Sequence, residues 1–224
     1  MFNRKTFKFL KELNENNNRD WFAENKQRYE NEVRAPALNY IESMTQPLAK
    51  ISPFFVVSAK KVGGSLMRVH KDVRFSKDKT PYKTNVGIHF KHARGKDVHA
   101  PGFYLHLEPG DIFIAAGIWR PESSTLKNVR TLIDEYPEEW IKLTSKVTGK
   151  SGYEFGGTSL KRPPVGFDKE HPLLEDLKRK DFIVAKKLKV SDVCATDFSK
   201  TSAKLFKAAS PLVNFICDAD DLSF

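Results

Sequence analysis

The residues best equipped for chemistry lie between positions 68 and 119. Arg68, Arg74, Lys79 and Tyr82 are donors suited to phosphate or carboxylate, the arginines through a planar two-pronged fork. Asp72 and Asp78 fit two roles, holding those donors in place or exchanging protons. His106 and Glu108 are two residues apart, so a strand would put an imidazole that titrates near neutral pH beside a carboxylate. The catalytic candidates are therefore His106, Glu108 and Asp72. The ligand-binding candidates are Arg68, His70, Asp72, Arg74, Lys79, Tyr82, Tyr104, His106 and Trp119. Each has a structural alternative. Arg–Asp pairs could simply fasten loop 76–83 to the sheet, and a histidine is more often a hydrogen-bonded structural residue than a catalyst.

Other chemistries find less support. His70, His89, His106, Asp72 and Glu108 are metal-ligand types, but no local ligand spacing joins them, and no metal site is expected. The Walker loop, a Gly-rich dinucleotide turn after a strand and a Gly-x-Ser-x-Gly elbow are all missing, and the cofactor is left unknown. Gly63-Gly64 reads as a turn, and Lys161-Arg162-Pro163-Pro164 as a second basic spot or a surface turn. Phe75, Tyr82, Tyr104 and Trp119 interleave with basic residues, as on single-strand nucleic-acid platforms, although most aromatic residues in a domain of this size are core.

Strands are the elements that would position these groups. From about 54 to 119 apolar residues recur with period two. In 66–75, Met67, Val69, Val73 and Phe75 alternate with Arg68, His70, Asp72 and Arg74. In 85–91, Val86, Ile88 and Phe90 alternate with Asn85, Gly87, His89 and Lys91. Pro109-Gly110 predicts a tight hairpin between 103–108 and 111–119. One face of that hairpin is wholly apolar, formed by Phe103, Leu105, Leu107, Ile112, Ile114, Ala116 and Ile118. The other carries Tyr104, His106, Glu108, Phe113, Ala115, Gly117 and Trp119. Small residues in a strand leave floor space for a ligand or for another backbone.

Helical spacing occupies both ends of the chain. The first 50 residues read as helix, with the Asn16–Asp20 turn capping a helix that opens at Trp21 and Pro36 breaking or kinking the run. Residues 121–147 read as two helices, the second opened by Pro137. A Gly- and Pro-rich segment covers 149–172, a short helix 173–179 and a strand 182–190. The last helix carries Phe198, Ser202, Leu205, Ala209, Leu212 and Ile216 on one face, with a kink expected at Pro211. The predicted fold is α+β, a single domain over 1–224 with a mostly antiparallel sheet and amphipathic helices packed on one face.

Composition narrows the partners. The 224 residues carry a net charge of +10, and residues 59–100 hold 11 Lys and Arg against 3 Asp, with four of the six histidines. Such clustering points to an anionic small molecule or nucleic acid, or to a solvated lysine-rich face. No apolar run is long enough to span a membrane, and no secretory signal is evident at the N-terminus. Cys194 and Cys217 read as two reduced thiols, and a cytoplasmic location is expected. Oligomeric state is left open.

The stretch from Arg68 through Lys71-Asp72, Arg74-Phe75 and Asp78-Lys79 to Tyr82 resembles the signature of a widespread family of uncharacterised bacterial and fungal proteins, a domain of unknown function. Asn18-Arg19-Asp20-Trp21-Phe22, Tyr104–Gly110, Gly117-Ile118-Trp119, Leu160–Pro163, Gly166-Phe167, His171-Pro172 and Lys180–Phe182 are similar to it as well, so the likeness covers nearly the whole chain. Lys71 stands where the family usually shows Arg, which puts a bidentate contact there in doubt. The resemblance implies no activity. Two function classes follow from the residues: a binding module for an anionic ligand (phosphate, nucleotide or nucleic acid), or an enzyme on a phosphorylated or carboxylated small molecule using His106, Glu108 and Asp72.

Overall fold

The computed structural model describes residues 1–95, 99–149 and 151–224. Lys96 and Asp97, counted in the basic stretch, and Lys150, in the Gly- and Pro-rich segment, lie outside the described residues. The alternation around Pro109-Gly110 forms the centre of the fold. Strands β1 (Val86–Lys91), β2 (Gly102–Glu108) and β3 (Asp111–Ile118) make an antiparallel meander, and Glu108 pairs with Asp111 across the two-residue turn. Gly110 sits there at φ +89°, a conformation that favours glycine. The short β4 (Glu154–Phe155) and β5 (Phe182–Lys187) complete the sheet in the order β1-β2-β3-β5-β4, with every pairing antiparallel.

The apolar face is buried as its pattern requires. Phe103, Leu105, Leu107, Ile114 and Ile118 lose nearly all contact with water. At about 1.5–3 kcal/mol for each large apolar side chain, this burial sets which face the helices cover. Helices α1 (Arg4–Glu15), α4 (Ala35–Ser43) and α10 (Phe198–Ala219) pack against β2, β1 and β3 respectively. Between α1 and α4 run α2 (Arg19–Glu24), capped by the Asn18 side chain on the Trp21 amide, and α3 (Lys26–Tyr29); α5 (Thr45–Ala49) follows α4. After the sheet meander come α6 (Ser123–Glu135) and α7 (Pro137–Thr148), the latter opened by its proline. The single turns α8 (Leu174–Leu177) and α9 (Val190–Val193) flank β5. No helix among the described residues is long and apolar enough to cross a membrane.

Two prolines are absorbed by the same device. Pro36 has no N–H for the Glu32 carbonyl, and the preceding turn, Glu30–Arg34, widens to a π-helix. The buried Thr6 hydroxyl donates to that carbonyl at 2.6 Å. Within α10, Pro211 frees the Lys207 carbonyl, and the Ser210 hydroxyl donates to it at 2.9 Å; the helix continues through the proline.

The expected strand over 66–75 does not form. Among the described residues the segment pairs with its neighbours as isolated bridges, Leu66 to Ile88 and His70 to Tyr82, rather than as a ladder. Beyond His70 the chain leaves the sheet as a loop tied by its own side chains, and Phe75, assigned by alternation to an apolar face, is 96% exposed. Ser65 and Met67 nevertheless bond to the edge of β1, through Met67 N–H to the Gly87 carbonyl and His89 N–H to the Ser65 carbonyl. They raise a wall beside the uncovered face of the sheet.

Candidate functional site

Alternation from Lys83 onward places Lys83, Asn85, Gly87, His89 and Lys91 on the side away from the helices, level with Tyr104 and His106. There the sheet, Met67 and Trp119 enclose a cavity of about 470 Å³. Ala115, Gly117 and Gly102 lie low in its floor, Phe113 and Ile183 add apolar wall, and Tyr104, His106, Asn85 and Lys83 supply the polar groups. A second, wider groove of about 830 Å³ adjoins it and shares Met67, Lys83 and His89 with it. Arg34, Lys61, Arg68, Lys83 and Lys91 line this groove with His70, and no acidic residue among the described ones does.

His106 is held by three polar neighbours in the cavity. Its Nδ1 lies 3.0 Å from the Tyr104 hydroxyl and 3.4 Å from the Asn85 amide nitrogen; its Nε2 lies 3.3 Å from Glu108 Oε2. Thr84 donates to the other Glu108 oxygen at 2.6 Å. The ring stacks on Phe113 with centroids 4.6 Å apart. A carboxylate only accepts, so neutral His106 carries its proton on Nε2 and accepts at Nδ1. Burial first, and the Glu108 charge second, push the Tyr104 hydroxyl up to about 12, so it stays protonated. Gly87 makes room for this arrangement: a Cβ there would stand 2.8 Å from the Tyr104 hydroxyl.

The other candidates separate into different places. Arg68 and His70 line the basic groove, while Tyr104, His106 and Trp119 line the cavity. Asp72 and Arg74 are bound to each other in the loop, with Arg74 Nε and Nη2 donating at 2.9 and 2.7 Å. That pairing with Arg74 holds the Asp72 carboxyl at about 2. Lys79 donates to the Val73 carbonyl at 2.9 Å, and Lys71 to Asp78 and Thr80 at 2.8 and 2.7 Å. Tyr82 is buried, stacked on Phe22 at 4.0 Å, with its backbone N–H and carbonyl both held by the Asn17 carboxamide. Most of the signature stretch thus ties its own loop together, and Tyr82 fastens that loop to Phe22 and Asn17. The aromatic residues do not form one platform: Phe75 is at the loop surface, Tyr82 is core, and Trp119 stacks on His99 under the Arg120 guanidinium. Among the described residues no three His, Cys, Asp or Glu side chains are grouped to hold a metal. Lys161 and Arg162 are exposed and line neither depression.

Two groups central to the site, Lys83 and Asn85, were not among the sequence candidates. Extending the alternation of β1 two steps back from Gly87 reaches Asn85 and then Lys83, and that signal was present. The Lys83 ammonium, partly buried between cavity and groove, makes no hydrogen bond or ion pair among the described residues; burial, then Arg68, lowers its pKa.

The chain belongs to a family described as conserved hypothetical protein (DUF2461), which it matches over residues 5–215. No curated protein and no solved structure matched the chain.

Proposed function

We propose that this protein is a binding module for an anionic small molecule, with the anion held at Lys83 and Arg68 and the apolar body of the ligand in the cavity over Gly117 and Ala115. The observation that carries this reading is the Lys83 ammonium: partly desolvated, without a counter-charge, and placed where an apolar cavity meets a basic groove. A charge kept away from both water and a partner is costly, and a bound anion offsets that cost. Arg68 supports it with a mostly exposed guanidinium whose nearest acid, Asp72, is 4.0 Å away and already bound to Arg74.

Anilinonaphthalene sulfonate combines an apolar ring system with one fixed negative charge and suits the test. Its fluorescence should rise on the natively folded protein, with near-ultraviolet circular dichroism confirming intact packing. Affinity should fall with added salt and drop about tenfold in Lys83→Met, the worth of one charged contact. A native protein that leaves the dye free, or binds it with no response to salt and to Lys83→Met, would remove the reading.

A further inference from the structure

The hydrogen bonds around His106 do not balance. Tyr104 O–H and Asn85 N–H both point at Nδ1, which has a single in-plane lone pair. With His106 neutral, at most one of these donors is well served. With His106 protonated, Nδ1–H donates to the Tyr104 oxygen and Nε2–H to Glu108. The Tyr104 hydroxyl proton is then free to turn into the cavity that Tyr104 lines. Either way at least one donor on the cavity side is left without an acceptor, and a ligand oxygen is what completes the cluster.

We infer that Tyr104, backed by His106 and Glu108, is an acid centre that receives an acceptor oxygen of the ligand (a carbonyl, enolate or phenolate oxygen), so that the ligand is two-ended, with its fixed anion at Lys83. This rests on the binding reading above and narrows it to anionic compounds carrying a second, basic oxygen. Tyr104 is the group that would touch the ligand; His106 and Glu108 position and polarise it. Proton delivery balances within the chain. The Tyr104 proton passes to the ligand oxygen, the His106 Nδ1 proton passes to Tyr104, and imidazolium and oxyanion become neutral imidazole and hydroxyl.

The charged and titratable groups around His106 agree with this direction. Glu108 on the same strand accepts from the Nε2 side of the ring, 3.3 Å away. Lys83 and His89 lie on the β1 side, where Lys83 favours an anionic ligand. On the side of β3 and β5, Lys187 lies 5.3 Å over the Phe113 ring and is paired with Asp111, which spends its charge. The high proton affinity of Tyr104 keeps it a donor throughout the neutral range. Thr84 holds Glu108 from behind, which fixes the carboxylate that in turn orients the imidazole.

The test uses para-hydroxybenzoate, its ring-fluorinated analogues of increasing phenol acidity, and benzoate as the one-ended control. Calorimetry on the wild-type protein should show the hydroxybenzoates binding about tenfold or more tighter than benzoate, as a charge-assisted hydrogen bond gives. Affinity should climb as the phenol becomes more acidic and the bound phenolate more populated. Tyr104→Phe should bring the hydroxybenzoates down to the affinity of benzoate. Wild-type protein that binds anilinonaphthalene sulfonate yet treats hydroxybenzoates and benzoate alike overturns the acid centre and leaves the binding reading standing. Protein that binds none of these compounds overturns both. The acidity series needs no variant, so a Tyr104→Phe protein that fails to fold does not shield the inference.

Discussion

Gly117 lies in the cavity floor, and two explanations of a glycine there give opposite outcomes for Gly117→Ala. If the position were kept small for a ligand, alanine would weaken binding and leave stability alone. The backbone argues otherwise: Gly117 sits at φ +122°, and a Cβ would fall 2.0 Å from the Phe182 carbonyl oxygen on β5. Holding a side-chain-bearing residue in so sparsely populated a conformation costs about 1–3 kcal/mol. Real Cβ contacts do not fall below 3.0 Å, so the strand must also move, which disturbs the pairing of Gly117 with Ile183 and Gly102. Losing one or two ladder hydrogen bonds adds about 1 kcal/mol each. The sum is about 2–5 kcal/mol, and at about 2–4 °C per kcal/mol for a chain of this size Tm falls by about 4–20 °C. Scanning calorimetry of wild type and Gly117→Ala measures it directly. A Tm within about 2 °C of wild type would refute the claim that the neighbouring strand, rather than a ligand, requires this glycine.

The Thr6 hydroxyl that replaces the missing Pro36 N–H can be tested as a double-mutant cycle. Thr6→Ala should cost about 1–2 kcal/mol in urea unfolding, and about 1 kcal/mol less in a Pro36→Ala background, where a backbone N–H returns to the Glu32 carbonyl. Equal costs in both backgrounds would mean the hydroxyl has no such role. The loop pair predicts a pH window: Arg74 lowers the folded Asp72 carboxyl to about 2, below its unfolded value of about 3.9. Its contribution is therefore present above pH of about 4 and lost as pH falls towards about 2. Carboxyl chemical shifts should show a midpoint near 2 in wild type that moves to about 4 in Arg74→Ala; an unmoved midpoint would assign the shift to something else.

Where the sequence was legible, a real strand was speaking. The hairpin at Pro109-Gly110, its register and its two faces follow from alternation, because both the pleat and the burial of Leu105 and Ile114 enforce period two. The same alternation in 66–75 had another cause. Charged residues in that loop come every second position because Asp72 bonds to Arg74, the residue two ahead, and Asp78 accepts from the Thr80 amide and hydroxyl in the same spacing. Local side-chain bonds of this kind compete with strand formation, and only the exposed Phe75 betrays the difference. The π-turn before Pro36 was hidden for a related reason: a hydroxyl thirty positions upstream decides where the freed carbonyl finds its partner.

The site inherits this division. Arg74, Lys71 and Lys79 make the signature conspicuous, yet each is bonded to an oxygen of its own loop, and a ligand drawing Arg74 away would strand the Asp72 carboxylate. An arginine so occupied gives little net attraction, because what the ligand gains the loop loses. Lys83 has no such competitor, and its environment already disfavours its charge. On the binding reading proposed above, an anion at Lys83 would recover a cost present in the empty protein, which makes this unobtrusive lysine just beyond the signature the stronger proposed anchor. The signature's contribution is to hold Tyr82 against Phe22 and thereby fix Lys83, one residue further on, at the rim of the cavity.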